Sequence, residues 1–165
     1  PGTMFLARAL KRLGFSPVIV TDDFCRDFFD SEGIETVYAD TTMGESDYAD
    51  MLDRYAPTLL ISIERCGRNI HGDYANMRGV SIADRNARLD ALFELGRTRG
   101  IPSIGVGDGG NEIGMGNLQQ IITNRLSLVP CEVAVDGVTK QQVATVDSYP
   151  NEVEQEILTQ LNLNL

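Results

Sequence analysis

The sequence predicts an α/β protein with a doubly wound, mostly parallel sheet and helices on both faces, a Rossmann-like three-layer arrangement. Short apolar runs rich in β-branched residues alternate along the chain with segments of helical periodicity, which is the pattern of repeated β-α units. The apolar runs are continuous, as expected for parallel strands that helices cover on both faces. With 165 residues and 42% hydrophobic content, the chain is predicted to form one domain over residues 1–165.

The first half of the chain alternates helices with strands. Thr3 is a candidate N-cap for the first helix and Gly14 its stop, while Pro57 closes the third helix. The helices are predicted over residues 4–13, 24–33 and 45–57, and the strands over residues 17–21 and 35–38.

The second half continues the alternation. A strand buried on both faces is predicted over residues 58–64, a helix over residues 85–100 and a strand over residues 102–107. Residues 64–79 lack hydrophobic periodicity, which indicates a long loop of the kind that is usually functional or mobile. Residues 143–147 are strand-like, and a final helix is predicted from its apolar residues Val153, Ile157, Leu158 and Leu161.

Three of the predicted strands end in acidic residues. Asp22 and Asp23 follow the first strand, Glu64 ends the third, and Asp108 follows the fourth. Open α/β sheets bind ligands beyond the carboxyl ends of their strands, so neighbouring strands would bring these acids to one rim. A single acid after a strand is usually a turn or capping residue. Three such acids together favour a binding site.

The stretch GVGDGGNEIGMGN holds six of the sixteen glycines. Gly109 and Gly110 allow a close backbone approach, and Asp108 and Glu112 would share one face if the segment were helical. This pair suits a hard, oxygen-preferring cation such as Mg²⁺ or Mn²⁺, with Asn111 as an auxiliary ligand. The alternative is a glycine-rich connection whose acid caps a helix. A dinucleotide site is disfavoured because the acidic turn would repel a pyrophosphate.

The loop over residues 64–79 carries arginines in a strongly acidic protein. Arg65 and Arg68 could bind a substrate carboxylate bidentately, or they could simply neutralise neighbouring acids. His71 is the only histidine, which excludes a multi-histidine metal site, and a lone histidine in a loop is more often a surface residue than a catalyst. Cys66 has no nearby base and is expected to be a small buried side chain.

Composition narrows the class of partner. The formal net charge of -10 disfavours a nucleic acid or an anionic membrane, because long-range repulsion opposes both encounters. No apolar run approaches the roughly 18 to 20 residues that span a bilayer. Three cysteines without a CxxC spacing suggest neither a disulfide framework nor a zinc ribbon. The expected partner is a small molecule or a metal, in a reducing, cytoplasmic-type compartment.

The motifs ERCGRNIHGDYANMRG and GVGDGGNEIGMGN resemble those of the D-glutamate cyclase family, whose domain also occurs alone in many microbial proteins. The resemblance covers most of the chain, including PGTMFLARALKRLG and DGVTKQQVATVDSYP. It implies the reversible cyclisation of D-glutamate to 5-oxo-D-proline and water. The location would be cytoplasmic, or the mitochondrial matrix in a eukaryote, and a homo-oligomer is possible.

Two departures from the family pattern predict missing pieces. The family has a strand before PGT and a further segment between LVPC and DGVT, near residues 130–136 of this chain. We expect that both pieces belong to the protein, because losing core strands would cost more than the about 5–15 kcal/mol of a domain's net stability.

The resemblance also implies roles for the acids and arginines. A divalent metal, Mn²⁺ or Mg²⁺, would be held by Glu64, Asp108 and Glu112 and would polarise the γ-carboxylate that the amine attacks. Arg65 or Arg68 would hold the α-carboxylate. Whichever of Asp108 or Glu112 is not a ligand would accept the amine proton.

The remaining residues of the motifs complete the expected site. Asn111 is expected to take part in catalysis, and Asn76, Gly109 and Gly110 are expected to contact the substrate. Two other functions stay open. A metal-dependent phosphohydrolase would use the same acids with the arginines on a phosphate, and a non-catalytic domain would bind an amino acid without converting it.

Overall fold

The computed structural model describes residues 2–29, 33–125 and 129–135. The helices are α1 (Gly2–Arg12), α2 (Glu45–Tyr55), α3 (Asp90–Thr98) and α4 (Gln119–Arg125). The strands are β1 (Val18–Asp22), β2 (Glu35–Ala39), β3 (Leu60–Ile63) and β4 (Ser103–Val106). Short 3-10 helices occupy Asp23–Cys25, Ala83–Arg85 and Met115–Leu118. The strand and helix predicted beyond residue 142 lie outside the described residues.

The described strands form two parallel pairs. β1 pairs with β2, and β3 pairs with β4. The α/β class and the parallel pairing are therefore confirmed. The two pairs are separate two-stranded sheets within the described ranges, so the doubly wound, Rossmann-like sheet stays a prediction.

Most element positions agree with the sequence pattern. Gly14 adopts a left-handed φ of 87° just after α1, which a glycine at a helix stop does without strain. The helix already includes Thr3, so the prediction of Thr3 as an N-cap is wrong. α2 begins after Gly44, whose N–H donates to the Asp47 carboxylate at 2.8 Å. It ends at Ala56 in the left-handed conformation, directly before Pro57.

The helix predicted over residues 24–33 is wrong where the structure describes it. Only Asp23–Cys25 is helical, and Asp27 has a φ of 71° that interrupts any continuation. Phe24 and Phe28 stay exposed and only Phe29 packs against the smaller core, so this segment has no continuous buried apolar face to stabilise a longer helix. In helices of this length most stability comes from such packing.

The helix predicted over residues 85–100 is shorter than expected, because α3 begins at Asp90. The N–H of Ala87 donates to the Asp22 carboxylate at 2.6 Å. This long-range bond holds the chain ahead of α3 outside a helical conformation, as the extended dihedral angles of Asn86 show. The strand over residues 58–64 is also less buried than predicted, since only Ser62 of β3 is fully buried.

The larger core packs α2 and α3 against the segment that ends in α4. Its fully buried side chains include Tyr48, Ile113, Ile122 and Cys131. A smaller core joins α1 to β1 through Met4, Ala7, Ile19 and Ile34. No helix in the described part of the chain combines the length and the apolar character that spanning a bilayer would need.

A buried ion pair links the first strand pair to the second. Asp22, the last residue of β1, receives hydrogen bonds from both terminal nitrogens of Arg65, which lies just after β3. Arg65 also donates to the carbonyl of Ala87 at 2.6 Å. The Asp22 and Arg65 side chains are only 11% and 17% exposed. The pair therefore fixes the carboxyl end of β1 against the chain that leaves β3.

We predict that Asp22→Ala lowers the free energy of unfolding by about 3–5 kcal/mol, because it leaves the Arg65 guanidinium buried without its partner. Urea denaturation of the purified chain measures the loss. The matched control is Asp23→Ala, which removes an ion pair between Asp23 and Arg26 that is exposed on both sides. Asp23→Ala is expected to lower the free energy of unfolding by only about 0–1 kcal/mol. Equal losses from the two variants would contradict the structural role of the buried pair.

Candidate active site

The register of β3 and β4 brings two acidic residues to one edge. Ile63 lies opposite Val106 at the ends of the two parallel strands. Glu64 follows β3 directly, and its N–H donates to the carbonyl of Val106 at 2.8 Å. Asp108 follows β4 by two residues. The convergence predicted for Glu64 and Asp108 is therefore confirmed, since parallel neighbours end at the same edge.

Glu112 completes a group of three carboxylates, which we call the acid cluster. One carboxylate oxygen each from Glu64, Asp108 and Glu112 lies within 4.8 Å of the others. Glu64 is exposed, Asp108 is half-buried and Glu112 is buried. Asp22 and Asp23 are not part of the cluster, because each is bound to an arginine.

Two main-chain donors orient Glu112. Its Oε1 accepts the N–H of Gly109 and its Oε2 accepts the N–H of Gly110, both at 2.7 Å. These bonds close a turn in which the carboxylate folds back over its own preceding residues. Each oxygen has a second lone pair that remains for another ligand.

The glycines beside the cluster are required by close packing. A Cβ on Gly107 would lie 2.7 Å from the Cβ of Glu112, and one on Gly109 would lie 2.7 Å from Glu112 Oε1. The backbone approach predicted from the glycine cluster is thus an approach to Glu112. The shared helical face predicted for Asp108 and Glu112 is wrong, because helical structure begins only at Met115. A turn brings the two acids together instead.

The loop over residues 64–79 pairs with the glycine-rich segment through its first residues. Glu64 has a left-handed φ of 53°, which turns the chain out of the sheet. Cys66 then forms an antiparallel bridge with Glu112. On either side of that bridge, the N–H of Ile113 donates to the main-chain carbonyl of Arg65, and the N–H of Gly67 donates to the main-chain carbonyl of Asn111. The main chain therefore holds the start of this loop beside the acid cluster.

Asn111 and Cys66 hold the middle of the loop over residues 64–79 in place through hydrogen bonds. Asn111 Nδ2 donates to the carbonyl of Ala75 at 2.7 Å, and the Cys66 thiol donates to the same carbonyl at 3.3 Å. Burial raises the pKa of Cys66 to about 11, so the thiol stays protonated and can donate. Cys66 is buried, as predicted.

The predicted substrate-binding side chains are engaged elsewhere in the protein. Arg65 binds Asp22, and Arg68 binds Glu94 at 2.7 Å. The other candidate, the Asn76 side chain, accepts two main-chain N–H groups and stabilises a turn within the loop. The described contacts thus do not join these three side chains to the acid cluster.

Sequence reasoning missed a buried polar network behind the loop. Asp90 at the start of α3 is 1% exposed and accepts a 2.6 Å hydrogen bond from the Tyr74 hydroxyl. Arg68 Nε lies 3.7 Å from the other oxygen of Asp90. Burial, followed by the hydrogen bond to Asp90, raises the pKa of Tyr74 above its usual range. A lone Asp in an amphipathic helix gives no sequence signal for such burial.

Comparison with known proteins identifies the family. A family model described as "D-glutamate cyclase-like, C-terminal" matches residues 1–134. The chain belongs to this D-glutamate cyclase-like family. It is 38% identical over 94 residues to the human protein named D-glutamate cyclase, mitochondrial. That match covers 54% of this chain and 15% of the human relative.

Family membership confirms the resemblance inferred from the two motifs. The chain corresponds to a small part of the length of the human relative. The extent of the domain, the missing segments and the roles of individual residues in the acid cluster stay predictions.

We predict that Gly107→Ala displaces Glu112 from its turn, because the new methyl group would overlap both Cβ and Cγ of that side chain. Overpacking of this kind costs about 1–3 kcal/mol of unfolding free energy, measurable by urea denaturation. Gly2→Ala is the control, since a Cβ there meets nothing within 4 Å. The close approach would be refuted by a Gly107→Ala variant as stable as Gly2→Ala.

A second prediction concerns the thiols. Burial raises the pKa of Cys66 to about 11 and that of Cys131 to about 12, so both stay protonated and poorly nucleophilic at pH 8. Iodoacetamide at pH 8 should therefore modify only the half-buried Cys25 of the folded chain, and all three cysteines in urea. Peptide mass spectrometry distinguishes the sites. Rapid modification of Cys66 without urea would contradict its burial.

Proposed function

We propose that the protein is a D-glutamate cyclase, a hydro-lyase that converts D-glutamate reversibly to 5-oxo-D-proline and water. The observation that carries the proposal is the acid cluster at the carboxyl ends of β3 and β4. It lies within the part of the chain that matches the D-glutamate cyclase-like family. The name of the human relative supports the choice of substrate.

The acid cluster suits a divalent metal, Mn²⁺ or Mg²⁺. Its donors are all carboxylate oxygens, which these hard cations prefer. Glu112 is already held by two main-chain donors, so little side-chain entropy is lost when it binds an ion. A bound cation would supply Lewis-acid polarisation of the γ-carboxylate.

The proton acceptor is proposed from the hydrogen bonds of the cluster. Both oxygens of Glu112 are occupied by main-chain N–H groups, whereas Asp108 has no hydrogen-bond partner among the described residues. We assign Asp108 to accept the proton that the amine loses as its nitrogen attacks the γ-carbon. One oxygen of the γ-carboxylate then leaves as water. Gly109 and Gly110 position Glu112 rather than contact the substrate.

Arg68 is the better candidate to bind the α-carboxylate. Either arginine would have to exchange a protein carboxylate for that of the substrate. The Arg65 pair with Asp22 is buried, and breaking it leaves a buried charge, whereas the Arg68 pair with Glu94 is partly exposed. Asn111 supports the site through the loop, and Asn76 shapes that loop.

Several broader properties belong to the same proposal. We propose that the two strand pairs are parts of one doubly wound sheet. The mitochondrial name of the human relative supports the matrix as the location in a eukaryote, with the cytoplasm as the location otherwise. A homo-oligomer is compatible with the family but has no specific support.

The first test is turnover by the full-length protein. Chiral chromatography after incubation with D- or L-glutamate and Mn²⁺ should show 5-oxo-D-proline from the D isomer alone, and chelator should stop its formation. Absence of product in the presence of bound Mn²⁺ would refute the cyclase function, and phosphate esters would be assayed next.

Asp108→Asn is the sharpest variant, because Asp108 loses no protein hydrogen bond when it becomes an amide. It should abolish turnover while Mn²⁺ still binds and the unfolding free energy stays unchanged, because the amide cannot accept the proton of the amine. Glu112→Gln should also abolish turnover, at an added cost in stability, because its amide group would face a main-chain N–H. Electron paramagnetic resonance of free Mn²⁺ measures metal binding. The control is Asp84→Asn, which changes an exposed acid outside the acid cluster. Near-wild-type turnover in Asp108→Asn would remove this residue from the mechanism.

A further inference from the structure

Arg68 lies between two acidic side chains of α3 that are one helical turn apart. Its Nη2 donates to Glu94 at 2.7 Å, and its Nε lies 3.7 Å from a carboxylate oxygen of Asp90. Residues four apart on a helix share one face, so both carboxylates approach the same guanidinium. The function proposed above assigns this guanidinium to the α-carboxylate of the substrate. Any substrate bound there must therefore meet the two acids as well.

Asp90 is the fixed partner of Arg68. Its side chain is only 2% exposed, and its other oxygen accepts the Tyr74 hydroxyl at 2.6 Å. The Arg88 side chain in turn donates a hydrogen bond to Tyr74. Moving the Asp90 carboxylate away would leave buried polar and charged groups without partners, which is costly. Asp90 therefore holds one side of the Arg68 guanidinium in place.

Glu94 is the exchangeable partner of Arg68. Its side chain is 47% exposed, and ion pairs with this much exposure contribute little to stability. Arg68 and Glu94 also line a cavity of about 300 Å³ between α2 and α3, which we call the α2–α3 pocket. Its volume is at the low end for small-molecule sites. A small anion that enters this pocket can thus reach the guanidinium and replace the Glu94 carboxylate at little cost.

The main chain holds Arg68 near the acid cluster. Arg68 follows Cys66 by two residues, and Cys66 forms the antiparallel bridge with Glu112. Two residues of extended chain span about 7 Å. On the other side, the N–H of Glu132 donates to the Arg68 carbonyl at 3.0 Å, which restrains the main chain of Arg68. The proposed substrate has one carboxylate for the acid cluster and a second for Arg68, and this short separation along the loop is compatible with one molecule meeting both.

We propose that Glu94 is a built-in competitor of the substrate. Its carboxylate occupies on Arg68 the position that the α-carboxylate of D-glutamate takes, while Asp90 keeps the guanidinium in place. Substrate binding breaks the contact with Glu94, whose carboxylate turns to solvent, and forms a charge-assisted pair between Arg68 and the substrate. The contact neutralises Arg68 when substrate is absent and lowers the affinity when substrate is present. The inference rests on the proposed cyclase function and extends it to the events at Arg68.

Steady-state turnover of the full-length protein with Mn²⁺ and D-glutamate tests the proposal. Glu94→Gln should lower KM about two- to fivefold with kcat unchanged, because removing the competitor strengthens substrate and transition-state binding equally. Asp90→Asn should raise KM roughly tenfold or more, because Arg68 loses its fixed partner. Circular dichroism checks that both variants fold, and the exposed Glu94→Gln decides the question if Asp90→Asn does not fold.

A competitive inhibitor shows which carboxylate binds Arg68. 4-Aminobutyrate keeps the amine and the γ-carboxylate of glutamate but has no α-carboxylate, so its inhibition constant should be the same in wild type and Glu94→Gln. Two control variants should leave KM unchanged. Glu45→Gln removes an acid that lines the α2–α3 pocket outside the described contacts of Arg68. Asp53→Asn removes an exposed ion pair to Arg99 at 2.6 Å.

Three results would overturn the proposal. They are an unchanged or higher KM in Glu94→Gln, an equal fall of KM in Glu45→Gln, and an inhibition constant for 4-aminobutyrate that falls together with KM. Calorimetric titration with D-glutamate separates this proposal from the cyclase function. A protein that binds D-glutamate without turnover is not a cyclase, yet Glu94→Gln should still bind D-glutamate more tightly by the same factor. Absence of D-glutamate binding in both proteins would overturn the competition at Arg68.

Discussion

The buried pair of Asp22 and Arg65 is the interaction on which the arrangement of the site depends. β1 and β3 belong to different strand pairs, so sheet hydrogen bonds do not fix one against the other. The carboxylate of Asp22 binds both the Arg65 guanidinium and the N–H of Ala87, which joins the ends of β1, β3 and the segment before α3. Glu64 immediately precedes Arg65, so the bonds of the Arg65 guanidinium restrain the chain directly beside Glu64.

Main-chain hydrogen bonds then hold the glycine-rich segment, and with it Glu112, beside the chain that follows Glu64. The chain after Glu64 runs antiparallel to the glycine-rich segment, with hydrogen bonds on both sides of the Cys66 and Glu112 bridge. Glu112 is fixed in turn by two N–H groups of its own turn. Main-chain hydrogen bonds therefore hold the Glu112 carboxylate beside the strand ends that carry Glu64 and Asp108, although the like charges repel.

The acid cluster concentrates negative charge from Glu64, Asp108 and Glu112, which favours a cation. The loop over residues 64–79 borders the cluster through its first residues. A cation held by the cluster would thus stabilise the start of this loop.

The sequence by itself determined the order of most strands and helices and the placement of acids at strand ends. Those features depend on local periodicity and on the rule that parallel strands end at one edge. Tertiary structure decided the rest. The segment after Asp23 did not become a long helix, because no apolar surface covers Phe24 and Phe28.

Tertiary structure also decided between interpretations of single residues that the sequence did not distinguish. Arg65 pairs with an acid 43 residues away, and Asp90 is buried by a tyrosine 16 residues earlier. Asp108 and Glu112 meet through a glycine turn rather than a helical face. Periodicity reports which side of an element is apolar, but it carries no information about which distant charge approaches a given side chain. Such pairings are fixed only when the whole chain has packed.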